Sequence, residues 1–282
     1  MRILLTGRAG QVGWELERAL PALGELIGMD RSTLDLSDVD AIRRVAREAK
    51  PALIVNAAAY TAVDRAEFEP DLAMQVNGVA PGVLAEEAKR LGALLVHYST
   101  DYVFDGEKRS PYVESDCTNP VNVYGRTKLE GERRIAASGC RYLILRTSWV
   151  YGSRGRNFLL AILNAAREKR KLRVVNDQVG APTSSLAMAQ ATVRILEAGD
   201  ADGLYHMSAA GRTTWFDFAK AIVDRAAIRI PVVAITSDEY PAKARRPRNS
   251  LLDNAKLRDG LGIRLADWSS ELDQVMTRLR KP

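Results

Sequence analysis

From its first residues the chain alternates short apolar runs with longer amphipathic stretches, and that alternation leaves few architectures open. Residues 3–5, 26–29, 53–55, 93–97 and 142–145 read as buried strands. Between them, residues 11–20, 39–49, 72–91 and 121–137 carry helical periodicity. Strands that regularly alternate with helices predict a parallel sheet with helices on both faces, an α/β fold. In such a sheet, ligands bind beyond the carboxyl ends of the strands.

The spacing changes after about residue 151. A helix over 158–168, a strand over 172–175 and a loop over 176–183 come first. A helix over 186–197, a strand over 203–207, a helix over 214–227 and a tail rich in Pro and Arg follow. We expect residues 1–150 and 184–210 to form the sheet domain. Residues 151–183 and 211–282 should make a smaller interleaved C-terminal lobe for the substrate.

Bulk properties narrow the functional class. The 282 residues contain no apolar run of the roughly eighteen or more that a membrane helix needs, so no membrane span is expected. The N-terminal Met1-Arg2-Ile3-Leu4-Leu5 reaches glycine at Gly7, too soon for a secretory signal, which favours a cytoplasmic location. Cys117 and Cys140 alone make neither a disulfide framework nor a zinc site. The net charge of +6 is spread along the chain, densest at residues 168–171 and 243–248. Neither cluster has the interleaved aromatics of a single-strand binder, so nucleic acid is not the expected partner. An anionic small ligand such as a diphosphate accounts for the charge more simply, with solvated helix ends the bland reading of 168–171.

The segment Gly7-Arg8-Ala9-Gly10-Gln11-Val12-Gly13 follows the first strand and opens the first helix. Glycines there let the backbone turn tightly against a pyrophosphate, and the helix N-terminus offers N–H groups to that anion. The spacing G-x-x-G-x-x-G differs from the commoner dinucleotide fingerprint, and a glycine turn alone is a weak signal. Its position gains force from Asp30 at the end of the second strand, where a carboxylate can accept from ribose hydroxyls. Arg31 beside it suits the 2′-phosphate of NADP instead. The pair leaves NADPH and NADH both open; an exposed loop pair is the plain alternative. Together these features specify a Rossmann-like doubly wound sheet.

Two further segments carry chemistry. Tyr124 and Lys128 stand at i and i+4, hence on one helix face. A phenol is a poor acid at neutral pH unless a nearby ammonium eases the proton's departure. Tyr-x-x-x-Lys is common on helix surfaces, so the motif alone proves little. Thr100 ends the fourth strand, where its hydroxyl can bind a carbonyl oxygen while Tyr124 supplies a proton. Ser99 beside it should face the other way.

On these residues the chain resembles the extended short-chain dehydrogenase/reductase family, and within it the reductases of nucleotide-sugars. The likeness rests on Gly7 to Leu16, on Val55 to Asp64, on Tyr98 to Phe104 and on Asn122 to Lys128. It continues through Arg146 to Tyr151, Asn176 to Thr183 and Ala244 to Pro247. The resemblance implies that NADPH or NADH delivers hydride to the 4-keto carbon of a dTDP-4-keto-6-deoxyhexose. It makes Tyr124 the proton donor, Lys128 its partner and Thr100 the third member of the triad. Asp35, Leu36, Ala59, Tyr60, Thr61 and Tyr98 match cofactor-lining positions. Thr100, Asp101 and Trp149 match sugar-contacting positions, although a tryptophan at a strand end also serves core packing. Arg245 and Arg246 suit the substrate diphosphate, their forked guanidinium groups matching phosphate oxygens; an exposed basic loop is the alternative.

Some relatives hold magnesium with glutamates at a dimer contact. Glu15 matches one ligand, but Leu186 and Arg278 stand at the other positions and cannot bind a hard cation. The resemblance therefore assigns no metal residue here, and a monomer and a homodimer both remain open. Two other functions share the scaffold. A nucleotide-sugar epimerase or dehydratase is one, although Thr100 is followed by Asp101 and not by the Asp-Glu pair of a dehydratase. A non-catalytic, dinucleotide-binding regulatory subunit is the other.

Overall fold

The computed structural model describes residues 1–199 and 201–280. The first strand, β1 (Arg2–Thr6), is followed by α1 (Gln11–Ala19), β2 (Glu25–Met29), α2 (Val39–Ala49) and β3 (Leu53–Asn56). Each strand is apolar and each helix amphipathic, the pattern of a sheet covered on both faces. α3 (Val63–Ala66) and α4 (Pro70–Met74) then lead through a π-helical turn, Gln75–Val79, into α5 (Ala80–Leu91). The helix expected over 72–91 is thus interrupted in register. β4 (Leu94–Thr100) runs longer than expected, to the hydroxyl residues, and ends in a 3-10 turn, Asp101–Val103. α6 (Val123–Ser138) and β5 (Arg141–Thr147) complete the first half.

After β5 come β6 (Val150–Tyr151), α7 (Phe158–Glu168), β7 (Leu172–Val175), β8 (Val179–Gly180) and β9 (Thr183–Ser184). α8 (Ser185–Ala198) and β10 (Gly203–His206) return to the sheet. β11 (Thr213–Thr214), α9 (Trp215–Arg225), β12 (Val232–Ile235), α10 (Ala255–Leu261) and α11 (Trp268–Arg280) follow. The segment 176–183, read as loop, holds the short strand β8, and the tail holds β12 and two helices; two-residue strands are too short to show a period.

The main sheet has the order β10-β5-β4-β3-β1-β2, all parallel. This is the α/β Rossmann-like arrangement, and its order reverses beside β1, between β1 and β3 on one side and β2 on the other. One core lies on each face: Ile3, Leu5, Val55 and Val96 pack against α1 and α8, and Leu4, Ile54 and Leu95 against α2 and α5. A third core, around Leu163, Phe218 and Leu272, joins α7, α9 and α11. Leu257 and Ile263, late in the chain, return to the first of these cores.

Candidate active site

A cleft of about 910 Å³ runs along the carboxyl ends of β1, β3, β4 and β5. Its floor at one end is the glycine turn. Gly7 has φ of +74°, and a Cβ there would lie 2.6 Å from the Ala58 nitrogen. A Cβ on Gly13 would lie 2.0 Å from the Gly7 carbonyl oxygen. Both positions therefore exclude a side chain, and the chain stays flat where α1 begins. Gly7, Gly10, Gln11 and Val12 border the cleft, while Gly13 is buried beneath it. The first-turn N–H groups of α1 lack intrahelical partners, and no acidic side chain in that turn competes for them. This cradle fits the pyrophosphate of a dinucleotide.

Asp30 sits beyond β2 at the cleft edge, with its carboxylate already engaged. Ser32 N donates to it over 3.0 Å and Arg8 Nε over 3.0 Å. The Ser32 hydroxyl contact first and Arg8 second hold the carboxyl down at about 2. Arg8 was not singled out in the sequence. Arg31 lines the same end of the cleft. Asp35, Leu36, Ala59, Tyr60 and Thr61 also line this end. The loop bearing Tyr60 is held by Asn77, whose Oδ1 accepts from Tyr60 N at 2.8 Å and whose Nδ2 donates to Tyr60 O at 3.0 Å. Asn77 lies in the π-helical turn, which aims it at both this loop and Thr127 of α6 (3.2 Å). Interrupted helices of this kind recur at functional sites.

Thr100, Tyr124 and Lys128 all border the middle of the cleft. The Thr100 hydroxyl donates to Asp101 Oδ1 at 3.1 Å and accepts from Tyr102 N at 3.1 Å, beside the Tyr124 phenol. Burial, then the neighbouring Asp101 carboxyl, pushes the phenol well above its ordinary range. Lys128, expected to ease that proton, has its hydrogen-bond partners elsewhere. Lys128 Nζ donates instead to Tyr98 O at 2.6 Å and lies 3.0 Å from His97 Nε2. Burial lowers the Lys128 ammonium to about 8, opposed by Glu132. Tyr98 meets the cleft, but its hydroxyl is spent on Thr192 Oγ1 at 2.7 Å. Ser99, expected to face away, also borders the cleft because strict alternation ends where β4 turns.

Asp101 is 3 % exposed, and its Oδ2 has no partner among the described residues. Burial raises this carboxyl to about 7 against hydrogen bonds from Ser250 and Thr100. Trp149, at φ +49°, stacks on Trp215 with centroids 3.6 Å apart. A Cβ on Gly180 would strike the Trp149 ring at 2.5 Å, which explains that glycine. The expected diphosphate arginines separate. Arg246 forks onto Asp64, at 2.7 and 3.1 Å, and lines the cleft. Arg245 lies outside it, exposed in an adjoining cavity of about 1050 Å³ that Lys108, Arg109, Arg212 and Lys243 also line.

A family model described as RmlD substrate binding domain matches residues 1–281. The chain belongs to that family. It is 46% identical to the dTDP-4-dehydrorhamnose reductase of Burkholderia thailandensis, over 95% of each chain. The structure of a dTDP-4-dehydrorhamnose reductase from Clostridium acetobutylicum superposes with a TM-score of 0.96 at 38% identity, each chain covered fully (100%). That of a dTDP-4-dehydrorhamnose reductase from Bacillus anthracis, in complex with NADP, gives 0.94 at 33% identity, covering 98% of this chain and 99% of the other.

The magnesium known in some relatives of this RmlD-type family does not fit here. Glu15 is gripped by the Arg278 guanidinium at 2.9 and 3.0 Å, so a cation already occupies its carboxylate. No group of three metal-ligating side chains occurs among the described residues. No described helix is long and apolar enough to cross a membrane. Several site residues went unread in the sequence: Tyr102, edge-on to Tyr124 at 5.7 Å, and Phe158 and Trp215 of the lobe. Only the adjacency of Tyr102 to the Ser99-Thr100-Asp101 segment could have flagged it.

Proposed function

We propose that this chain reduces the 4-keto group of dTDP-6-deoxy-L-lyxo-4-hexulose to give dTDP-L-rhamnose. The convergence of Thr100, Tyr124 and Lys128 in the cleft that begins at the glycine turn carries this reading. NADPH or NADH supplies the hydride when bound along the first-turn amides of α1. Thr100 Oγ1 donates a hydrogen bond to the keto oxygen and stabilises the charge that develops on it. Tyr124 hands its phenolic proton to that oxygen, and its high pKa keeps the proton in place until the alkoxide forms. Lys128 steadies the phenolate left behind and reaches the nicotinamide ribose. The unpartnered Asp101 oxygen takes a sugar hydroxyl, and Trp149, held under Trp215, forms part of the wall beside the sugar. Arg245 and its basic neighbours receive the diphosphate, with Arg246, braced by Asp64, at the junction of cleft and cavity. The sheet body, 1–150 with 184–210, then holds the cofactor, and 151–183 with 211–282 the sugar nucleotide.

The test is loss of nicotinamide absorbance when the protein meets the 4-keto sugar nucleotide and each reduced cofactor. Stoichiometric oxidation of added cofactor is the expected result, and Tyr124→Phe should slow it by about 10²–10⁴-fold. An epimerase would oxidise no added cofactor, and a regulatory subunit would bind it without turnover.

A further inference from the structure

Between Lys128 and the end of β1 runs a line of polar groups, of which the proposed reaction uses only the lysine. Thr6, Asn56, His97 and Lys128 are each no more than 2 % exposed. Thr6 Oγ1 donates to Asn56 Oδ1 at 2.7 Å, and Ala58 N donates to the same oxygen at 3.3 Å. These two donors orient the amide, so its Nδ2 faces His97 Nδ1, 3.0 Å away. On the far side of the ring, His97 Nε2 lies 3.0 Å from Lys128 Nζ.

The donor pattern along this line has one consistent solution. Asn56 Nδ2 can only donate, so His97 Nδ1 must accept. A neutral imidazole carries one N–H, which then sits on Nε2 and points at the lysine. An ammonium has only donors and would oppose it. A free amine has a lone pair that accepts from Nε2–H while its own N–H serves Tyr98 O, 2.6 Å away. We infer that His97 is a positioning residue: its Nε2–H, set by Thr6 and Asn56, favours the neutral amine of Lys128 in the free protein. The lysine then takes up a proton from solvent, and with it its charge, when an anion forms or enters the cleft.

The electrostatics agree. Burial holds His97 neutral, well below its ordinary range, and burial also lowers Lys128. The other groups around the amine are few. Glu132 of α6 is forked onto Arg146 of β5 at 2.9 and 2.6 Å, Tyr98 of β4 gives only its carbonyl, and Tyr124 and Asp101 lie on the cleft side. The residues of the π-helical turn that reach α6 are uncharged.

This inference rests on the reading of Lys128 as part of the reacting centre, but its test needs no turnover. The chain has two histidines, so nitrogen NMR of the labelled full chain resolves His97 directly. The expected spectrum shows a neutral ring protonated on Nε2 from about pH 6 to 9, with Lys128, identified by its loss in Lys128→Arg, titrating at about 8. In His97→Leu the Lys128 titration, and the matching limb of the kcat/KM profile, should rise by about one pH unit or more. A ring protonated on Nδ1, or an unmoved Lys128 titration in folded His97→Leu, overturns the inference. If His97→Leu fails to fold, the native tautomer decides alone. Absent reductase activity with the expected spectrum would count against the proposed function and not against this network.

Discussion

The two ends of the cleft are built by opposite means. The cofactor end is made of backbone and buried side chains close in sequence: the glycine turn, the carboxyl ends of β1 and β3, and a loop held by Asn77. The substrate end is made of long-range side-chain pairs. Asp64 with Arg246 spans 182 residues, and Trp149 stacks on Trp215. A rigid dinucleotide moiety suits a preformed cradle. A sugar nucleotide, gripped at sugar and diphosphate, suits adjustable charged loops at a domain edge.

This contrast can be broken at either end. Thr100→Val should lower kcat by about 10²–10³-fold with little change in cofactor affinity, because the developing oxyanion loses its donor and Asp101 and Tyr102 N lose a partner. Equal losses in kcat and cofactor binding would show that Thr100 shapes the cradle instead. Gly13→Ala should destabilise the protein by about 1–3 kcal/mol and weaken cofactor binding, since backbone must move to admit the methyl group. Thermal melting and cofactor titration read both effects.

The substrate lobe hides a pH-sensitive group. Glu271 is 1 % exposed, and burial raises its carboxyl to about 7 while Ser184 N donates to it. Folding favours its neutral form. Its contribution is therefore full below the ordinary carboxyl range and is lost as pH rises toward 7. Glu271→Gln should remove that slope and stabilise the protein at pH 8 by roughly 1–3 kcal/mol, measured as a melting-temperature gain absent at low pH. Asp64→Asn should raise KM for the sugar nucleotide on the order of tenfold with kcat nearly intact, because Arg246 loses its brace. Arg245→Ala should give the smallest change, a rise in KM of roughly two- to fivefold that fades with added salt, as befits an exposed charge.

Much of the cofactor end was legible because its determinants are local. A glycine turn after an apolar run, a carboxylate after the next strand, and Tyr124 and Lys128 one helical turn apart are all spacings within a single element. The interruption at Gln75–Val79 was not legible, because the helical period persists through it and its purpose is the reach of Asn77 to other segments. The two arginines are read from their forked guanidinium groups and their shared motif, and neither says which is paired. Asp64 lay in view within its motif, but its partner was a matter of packing.

The sequence by itself determined the parallel sheet, the placement of the glycine turn on β1 and α1, and the strand end that bears Thr100. Each follows from periodicity and backbone sterics over a few residues. Tertiary structure alone decided that Arg246 serves as a strut while Arg245 stays exposed near Glu107. It also decided that Trp149 lies under Trp215, and that Lys128 turns toward His97 rather than Tyr124. Those outcomes depend on which buried polar groups find partners across the fold, and desolvation makes such pairings obligatory only once distant segments have met.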